Sequence, residues 1–522
     1  MSNSFGVRHR FLSRPVFSLL LLGALAAATI LLPSHQQPLA GPLYGGTLTT
    51  AHEIDASGFD AIKGRSLISA GRTAANLIME KLFERDEKGK LIPVLGLSAT
   101  ASEDGTTWTV KLRRGVHFHD GTPFNADAVV HHWQRLLDPK NRYRHRILLR
   151  PIQSVEKSGD DEVRFQLNHP WLPFTDALSS PGGYTAFIPS PAAVDQDIQN
   201  RSPVGTGPFV FKEWKSGDRI VATKNPAYWR PGKPYLDQVV MRVITDHESR
   251  YAALVSGQVD VMVTDRPAHV EKLSKNPNFT KVVLRFRGAG ILALNNTKPP
   301  LDDVRVRRAL ALAWDQKKYI QASFKNILPY TETWFGDALE CQDVNYREPN
   351  LEKAKALITA YGKPVELEYI HSATNRGREA GVILQQMMKP IGVAVHPVPL
   401  DFPGIMKQLF SKQYDISSWV IPGAYDMGPI TMAQLHSKSP WNVSRYTNGE
   451  VDALLGRLQA ATDPEARKRA MCDIARKTNA DAPFLYLFGR QYYLFAGKHV
   501  HHLPQPAPGV EGRPLTEIWI DK

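Results

Sequence analysis

The sequence predicts an α/β protein of two or three domains, and three observations carry that expectation. Strand-like and helix-like segments alternate along the chain. Breaks rich in proline and glycine divide it near Pro203–Pro208, Asn225–Pro234, Lys298–Pro300 and Gln505–Arg513. Beyond an N-terminal leader, about 480 residues remain, too many for one ordinary core.

In chain order, Thr107 to Phe118 sets Trp108, Val110 and Leu112 on one face, a period of two that makes a strand. The turn His119-Asp120-Gly121 ends it. Asn125 then stands where a helix N-cap belongs, ahead of Val129, Trp133, Leu136 and Leu137 at helical spacing. Asp302 or Asp303 caps a second helix that buries Val306, Leu310, Ala313 and Trp314. Val451, Leu454, Leu455 and Leu458 line a third, and Asp463-Pro464 opens a fourth. The apolar runs Leu292–Leu294 and Phe484–Phe488 are expected to be buried strands, and places for the chain to cross between domains.

The N-terminus points to export. Arg8, Arg10 and Arg14 precede the apolar run Val16–Leu32, the pattern of a secretory signal peptide with a cleavage site at Pro38-Leu39-Ala40. An uncleaved membrane anchor is the alternative. The two cysteines, Cys341 and Cys472, both lie far from the leader, so a lipid-accepting cysteine is excluded and a soluble periplasmic protein is expected. In an oxidising compartment the two either pair or stay as free thiols. The formal charge of +13 becomes +10 once the three leader arginines are subtracted. Export argues against nucleic acid as a partner, and the densest basic run, Lys140–Arg150, is expected to be a solvated face or, less favoured, a contact for an anionic ligand or a membrane surface.

A series of short motifs then carries a family resemblance. Gly45-Gly46-Thr47-Leu48 is followed by Pro93–Gly96, by Leu112–Val130 (LRRGVHFHDGTPFNADAVV), and by Pro203–Phe209 (PVGTGPF). Next come Asn225–Trp229 (NPAYW), Pro300–Leu310 (PLDDVRVRRAL), Arg445–Asn448 (RYTN) and Asp481-Ala482-Pro483. In this order they resemble family 5 of the extracellular solute-binding proteins, the peptide, nickel and glutathione receptors of ABC importers. The resemblance implies a two-lobed periplasmic binding protein, class II of the large type, with a ligand cleft between lobes and an extra domain. Carried over, lobe one is 41–77, 206–290 and 490–522, the extra domain 78–205, and lobe two 291–489. It also implies a monomer that closes around a peptide-like ligand and docks on a membrane permease, with no cofactor and no catalysis.

In peptide-binding members of that family, a Trp-x-x-Asp segment lines the cleft and its carboxylate pairs with the ligand's amino terminus. The matching stretch here is Ser418–Pro429, where Trp419 is present, Pro422 stands in the acid's place and Asp426 comes four residues late. Either Asp426 is re-aimed into the cleft or the amine clamp is absent. Absence is favoured, and it shifts the expected cargo from free-amine peptides to modified peptides or metal chelates such as a metallophore. Trp419, Tyr425, Asp426, Trp441 and Tyr446 are the candidate ligand contacts. For each aromatic, ordinary core packing is the competing explanation.

The histidine groups His117/His119, His131/His132 and His499/His501/His502 are expected to be adventitious and not metal ligands. An exported hydrolase is the rival class. Ser154–Lys157 matches S-x-x-K but leads into a turn and strand instead of opening a helix. His247-Glu248-Ser249-Arg250 ends in Tyr251, which leaves the zinc motif H-E-x-x-H incomplete. A membrane-tethered sensor or chaperone on the same fold is the third alternative.

Overall fold

Two long strands, Phe279–Leu294 and Phe484–Gly497, run side by side at the centre of a ten-stranded mixed sheet. The computed structural model describes residues 41–64, 69–179, 185–344, 346–503 and 515–521, so the leader lies outside the described residues. The two long strands pair antiparallel from Phe279↔Gly497 to Ala293↔Phe484. Each serves two neighbourhoods. At one end Phe484–Gly497 pairs with Val261–Thr264, and beyond it lie Thr47–His52, Gln238–Val243, Arg219–Lys224 and Phe209–Lys215. At the other end Phe279–Leu294 pairs with Ile416–Ile421, followed by the parallel strands Val365–Ser372 and Val393–Leu400.

The apolar runs explain why these strands sit centrally. Residues 289 to 294 and 484 to 487 are buried on both faces, as a central strand with cover on each side requires. Between the two ends the ladder slips, with register shifts between Arg285 and Ala289 and between Gly290 and Ile291. Gly288 lies inside this slip at a φ of 93°, and a Cβ there would meet the Ile421 carbonyl oxygen at 2.2 Å. Only glycine fits both constraints.

A separate four-stranded antiparallel sheet is built from Gly96–Ala101, Thr107–Leu112, Glu162–Leu167 and Ile152–Gly159. Helix Ala126–Leu137 covers it, capped by the Asn125 side chain, which accepts from Ala128 N–H. Val110, Leu112, Val129, Trp133 and Leu136 are buried there, and Trp108 is half-buried. Asp303 caps Val304–Ala313, and Asp463 caps Pro464–Asp481. Cys341 and Cys472 form a disulfide that ties the 341 loop to that last helix. Among the described residues, no helix is long and apolar enough to cross a membrane.

Most of the short motifs turn out to be knots in this scaffold. Glu80 is buried and accepts from Thr206 Oγ1 (2.9 Å), Tyr228 OH (2.7 Å) and Trp229 Nε1 (2.7 Å), so PVGTGPF and NPAYW meet on one carboxylate. Burial raises the Glu80 carboxyl, and the three donors oppose the shift. Gly205 and Gly207 pack so closely that a Cβ would lie 2.2 and 2.4 Å from the carbonyl oxygens of Ile78 and Leu77. Tyr446 OH and Asn448 Nδ2 both donate to Asp481 Oδ2, while Arg307 donates to the Asp481 carbonyl. Three further motifs thus converge at one place.

Candidate functional site

A cavity of about 660 Å³ opens between the two ends of the large sheet and the four-stranded sheet domain. Its wall includes Gly290, Leu487, Phe488, Arg490 and Tyr492 from the two crossing strands. Trp171, Asp176 and Ala177 come from the small-sheet side, and Arg376, Ala380, Trp419, Ile430 and Trp441 from the other. A volume of this size suits a small organic ligand, and a mostly apolar wall with a few polar groups is what such sites present.

The aromatic platform is centred on Trp441. Its ring stacks on His145 (centroids 5.2 Å apart, 15° between planes) and lies 6.3 Å from that of Trp419. Trp441 Nε1 donates to the Arg144 carbonyl at 2.8 Å, and Trp419 Nε1 donates to Gln434 Oε1 at 3.0 Å. Both indole N–H groups are therefore spent on the protein and one Trp441 face is covered by His145, which leaves only the uncovered ring faces for contact. Burial, reinforced by Arg144, lowers His145 to about 4, so its ring is neutral at neutral pH.

Asp426 borders the cavity, but its carboxylate is engaged from behind. Arg467 Nη2 donates to both oxygens, at 2.9 and 2.7 Å, and Gly428 N–H donates to Oδ1 at 2.6 Å. The backbone N–H of Asp426 donates to Asp176 Oδ2 at 2.6 Å, and Asp176 is in turn held by Arg85 Nε at 3.0 Å. Burial raises the Asp176 carboxyl, the Asp426 charge adds to this, and Arg85 works against it. Pro422 also borders the cavity and supplies no acceptor side chain.

The other two candidate residues sit differently. Tyr425 places its ring 3.9 Å from the Arg85 guanidinium carbon and 5.1 Å from that of Arg287, and its carbonyl accepts from Arg287 Nη1. A Cβ on Gly89 would lie 2.2 Å from that ring, so the Tyr425 loop is seated tightly on the small-sheet domain. Tyr446 is buried in the hydrophobic core beneath the cavity, with its hydroxyl committed to Asp481.

Sequence reasoning missed several residues of the wall. Asp176 and Arg376 carry no local motif, and Arg376 pairs with Asp265, joining helix Asn375–Met388 to the segment after Val261–Thr264. The basic run Lys140–Arg150 keeps its lysine and arginines exposed, as expected of a solvated face, while Arg144, His145, Leu148 and Leu149 also line the cavity. Arg142 adopts a φ of 51°, which turns the chain before the short 3₁₀ segment Arg146–Leu149. The run thus borders the cavity mouth with its basic side chains in solvent.

The histidine groups have structural partners. His119 Nε2 meets the Gly207 carbonyl, His132 Nε2 the Thr185 carbonyl, His131 Asp195, His499 Asp260 and His501 Asp521. Among the described residues no three His, Cys, Asp or Glu side chains converge to hold a metal ion. Ser154–Lys157 lies within strand Ile152–Gly159, and His247–Arg250 opens helix His247–Val255.

Two α/β lobes sharing two crossing strands, with a mostly apolar cavity between them, define a two-lobed solute-binding protein. The chain belongs to the bacterial extracellular solute-binding proteins, family 5, whose model matches residues 90–443. It is 29% identical over 472 residues to the probable di/tripeptide-binding protein 5 of Pseudomonas aeruginosa, covering 82% of this chain and 87% of that one. It is 31% identical to heme-binding protein A of Haemophilus influenzae, covering 78% and 80%. Its fold is similar to that of the periplasmic binding protein DppA of Helicobacter pylori, solved with the peptide STSA. That likeness has a TM-score of 0.83 at 24% identity and covers 92% of this chain and 99% of that one.

Proposed function

We propose that this chain is the periplasmic receptor of an ABC importer, capturing a peptide-like solute and delivering it to a membrane permease without chemical change. The cavity spanning the two crossing strands carries the proposal, because a ligand held there contacts both lobes at once. The segments 41–77, 206–290 and 490–522 form lobe one, 78–205 the extra domain and 291–489 lobe two. The register slip at residues 285–291 serves as the hinge, and ligand selects the closed form. The leader directs export and is removed near Ala40. The receptor works as a monomer.

Among the ligands named for its relatives, di- and tripeptides suit a cavity of this size. Engagement of Asp426 by Arg467 leaves no acid in the matching segment for a free ammonium. This favours blocked or modified peptides, or chelates, over plain free-amine peptides.

Native mass spectrometry of protein purified from its own periplasm tests the proposal. A non-covalent adduct of a few hundred daltons, whose re-addition raises the Tm of stripped protein, is the expected result. Protein that carries no adduct, and gains no stability from any member of a broad peptide library, argues against it.

A further inference from the structure

One side chain of the cavity wall is tied to the opposite end of the large sheet. Arg376 belongs to helix Asn375–Met388, which packs on strands Val365–Ser372 and Val393–Leu400, and it lines the cavity. Its Nη2 donates to Oδ1 of Asp265, which follows strand Val261–Thr264 at the other end and does not border the cavity. The pair therefore joins the two ends of the sheet through side chains alone. Both partners are largely withdrawn from water, with side chains 9% exposed for Asp265 and 30% for Arg376. Burial works to lower the Arg376 guanidinium, but Asp265, with Tyr492 and Glu53, raises it above its ordinary value. Arg376 Nε is buried without a hydrogen-bond partner among the described residues. The bond to Asp265, with the Phe324 ring centroid 5.6 Å from the guanidinium carbon, is what holds this side chain. Arg250 is a second cation close enough to act on Asp265, but it is committed to the Ile244 and Thr245 carbonyls, at 2.6 and 2.8 Å, and to Glu53. It does not take the place of Arg376.

Resting on the solute-binding reading above, we infer that Asp265 is a positioning residue for capture: acting through Arg376, it biases the protein toward the closed form without itself meeting the solute. A bond that exists only when the lobes are together stabilises the closed state alone, and apparent affinity rises with the closed fraction. Opening hydrates both partners, so the pair contributes the difference between protein and water as partner and not the full cost of a bare buried charge. That difference for a charge-assisted hydrogen bond corresponds to a factor of about five to ten in the closed-to-open ratio.

The test compares wild type, Asp265→Asn, Arg376→Gln and the double variant, with the eluate of periplasmic wild-type protein as the probe. Spin-label distances across the cleft give the closed-to-open ratio at the eluate dilution that half-saturates the wild type. Titration gives the dilution that half-saturates each variant. Asp265→Asn is expected to lower the ratio about fivefold or more and to require correspondingly more eluate, although Asp265 lies off the cavity wall. In the Arg376→Gln background the same substitution should change neither quantity further, because its effect runs through that arginine. A fall in Tm with ratio and half-saturation unchanged makes Asp265 structural only and overturns the inference, leaving the receptor reading intact. An effect of Asp265→Asn that persists undiminished beside Arg376→Gln overturns it equally. Should Asp265→Asn fail to fold, Asp265→Glu, which keeps the charge but displaces it, takes its place with the same direction expected and the same two overturning results. If the wild type captures nothing from its own periplasm, the receptor reading fails, and this inference with it.

Discussion

Asp176 forms two bonds that differ in what they join. Its pair with Arg85 lies on the small-sheet side, whereas its bond from the Asp426 N–H reaches the loop that follows strand Ile416–Ile421. On the proposed hinge motion, closure would make the second bond and leave the first in place. Asp176→Asn removes the charge from both. A hydrogen bond to a charged acceptor contributes about 1.5–3 kcal/mol, and the Asp176 side chain is only 8% exposed, so solvent weakens it little. The asparagine oxygen can still accept, which favours the lower figure, about 1.5 kcal/mol. Shifted onto the open–closed equilibrium, this lowers the apparent affinity for the natural ligand by roughly tenfold. Titration calorimetry reads the affinity, and spin-label distances across the cleft read the closed fraction. Stability of the ligand-free protein should fall as well, because Arg85 loses its buried partner. If Asp176→Asn lowers Tm but leaves both affinity and closed fraction unchanged, Asp176 is structural only and the docking argument is wrong.

Gly288→Ala should destabilise the protein by about 1–3 kcal/mol, read from denaturant unfolding, because φ is positive and a Cβ meets the Ile421 carbonyl. Replacing Cys341 and Cys472 by serine should cost about 3–5 kcal/mol, since the bridge closes a separation of 131 residues, and a reducing agent should lower the Tm of the wild type to match. Burial holds His132 at about 4, below its ordinary value of 6.5. A depressed histidine contributes stability that is full above 6.5 and is lost as pH falls toward 4, up to about 3 kcal/mol, and His132→Gln should flatten that part of the Tm–pH curve. Trp419→Ala should weaken capture of the natural ligand by about tenfold or more in calorimetry, with little change in the Tm of ligand-free protein.

Local chemistry was legible in the sequence, and long-range pairing was not. The N-caps at Asn125, Asp303 and Asp463 follow from side chains that reach only two or three residues ahead. The buried faces of Val304–Ala313 and Gly449–Ala460 follow from spacing alone. Apolar runs likewise located the crossing strands, because a strand covered on both faces has no polar face to show. The disulfide was one of two open outcomes, since a cysteine pair 131 residues apart leaves no local signal.

The site was harder to read for the same reason. The displacement of the acid from position 422 to Asp426 is visible in the sequence. That Arg467, 41 residues on, engages it is not. Asp176 meets Asp426 across 250 residues, and Arg144 meets Trp441 across 297. Between Arg142 and Leu149 the chain bends at a positive φ that no glycine announces, so a basic run whose side chains stay exposed also borders a cavity. Tyr446 stands in a motif whose tyrosine bonds to Asp481, a role that its aromatic character alone did not reveal.

Capture requires the two lobes to close around the ligand, and small-angle X-ray scattering reads that closure. Protein stripped of ligand and protein reloaded with its own eluted ligand should differ in radius of gyration, with the loaded form more compact. The Asp176→Asn variant should need more ligand to reach the same compact state. Identical scattering curves for the stripped and saturated wild type would contradict the account, because a ligand enclosed between two lobes cannot enter and leave a cavity that never opens.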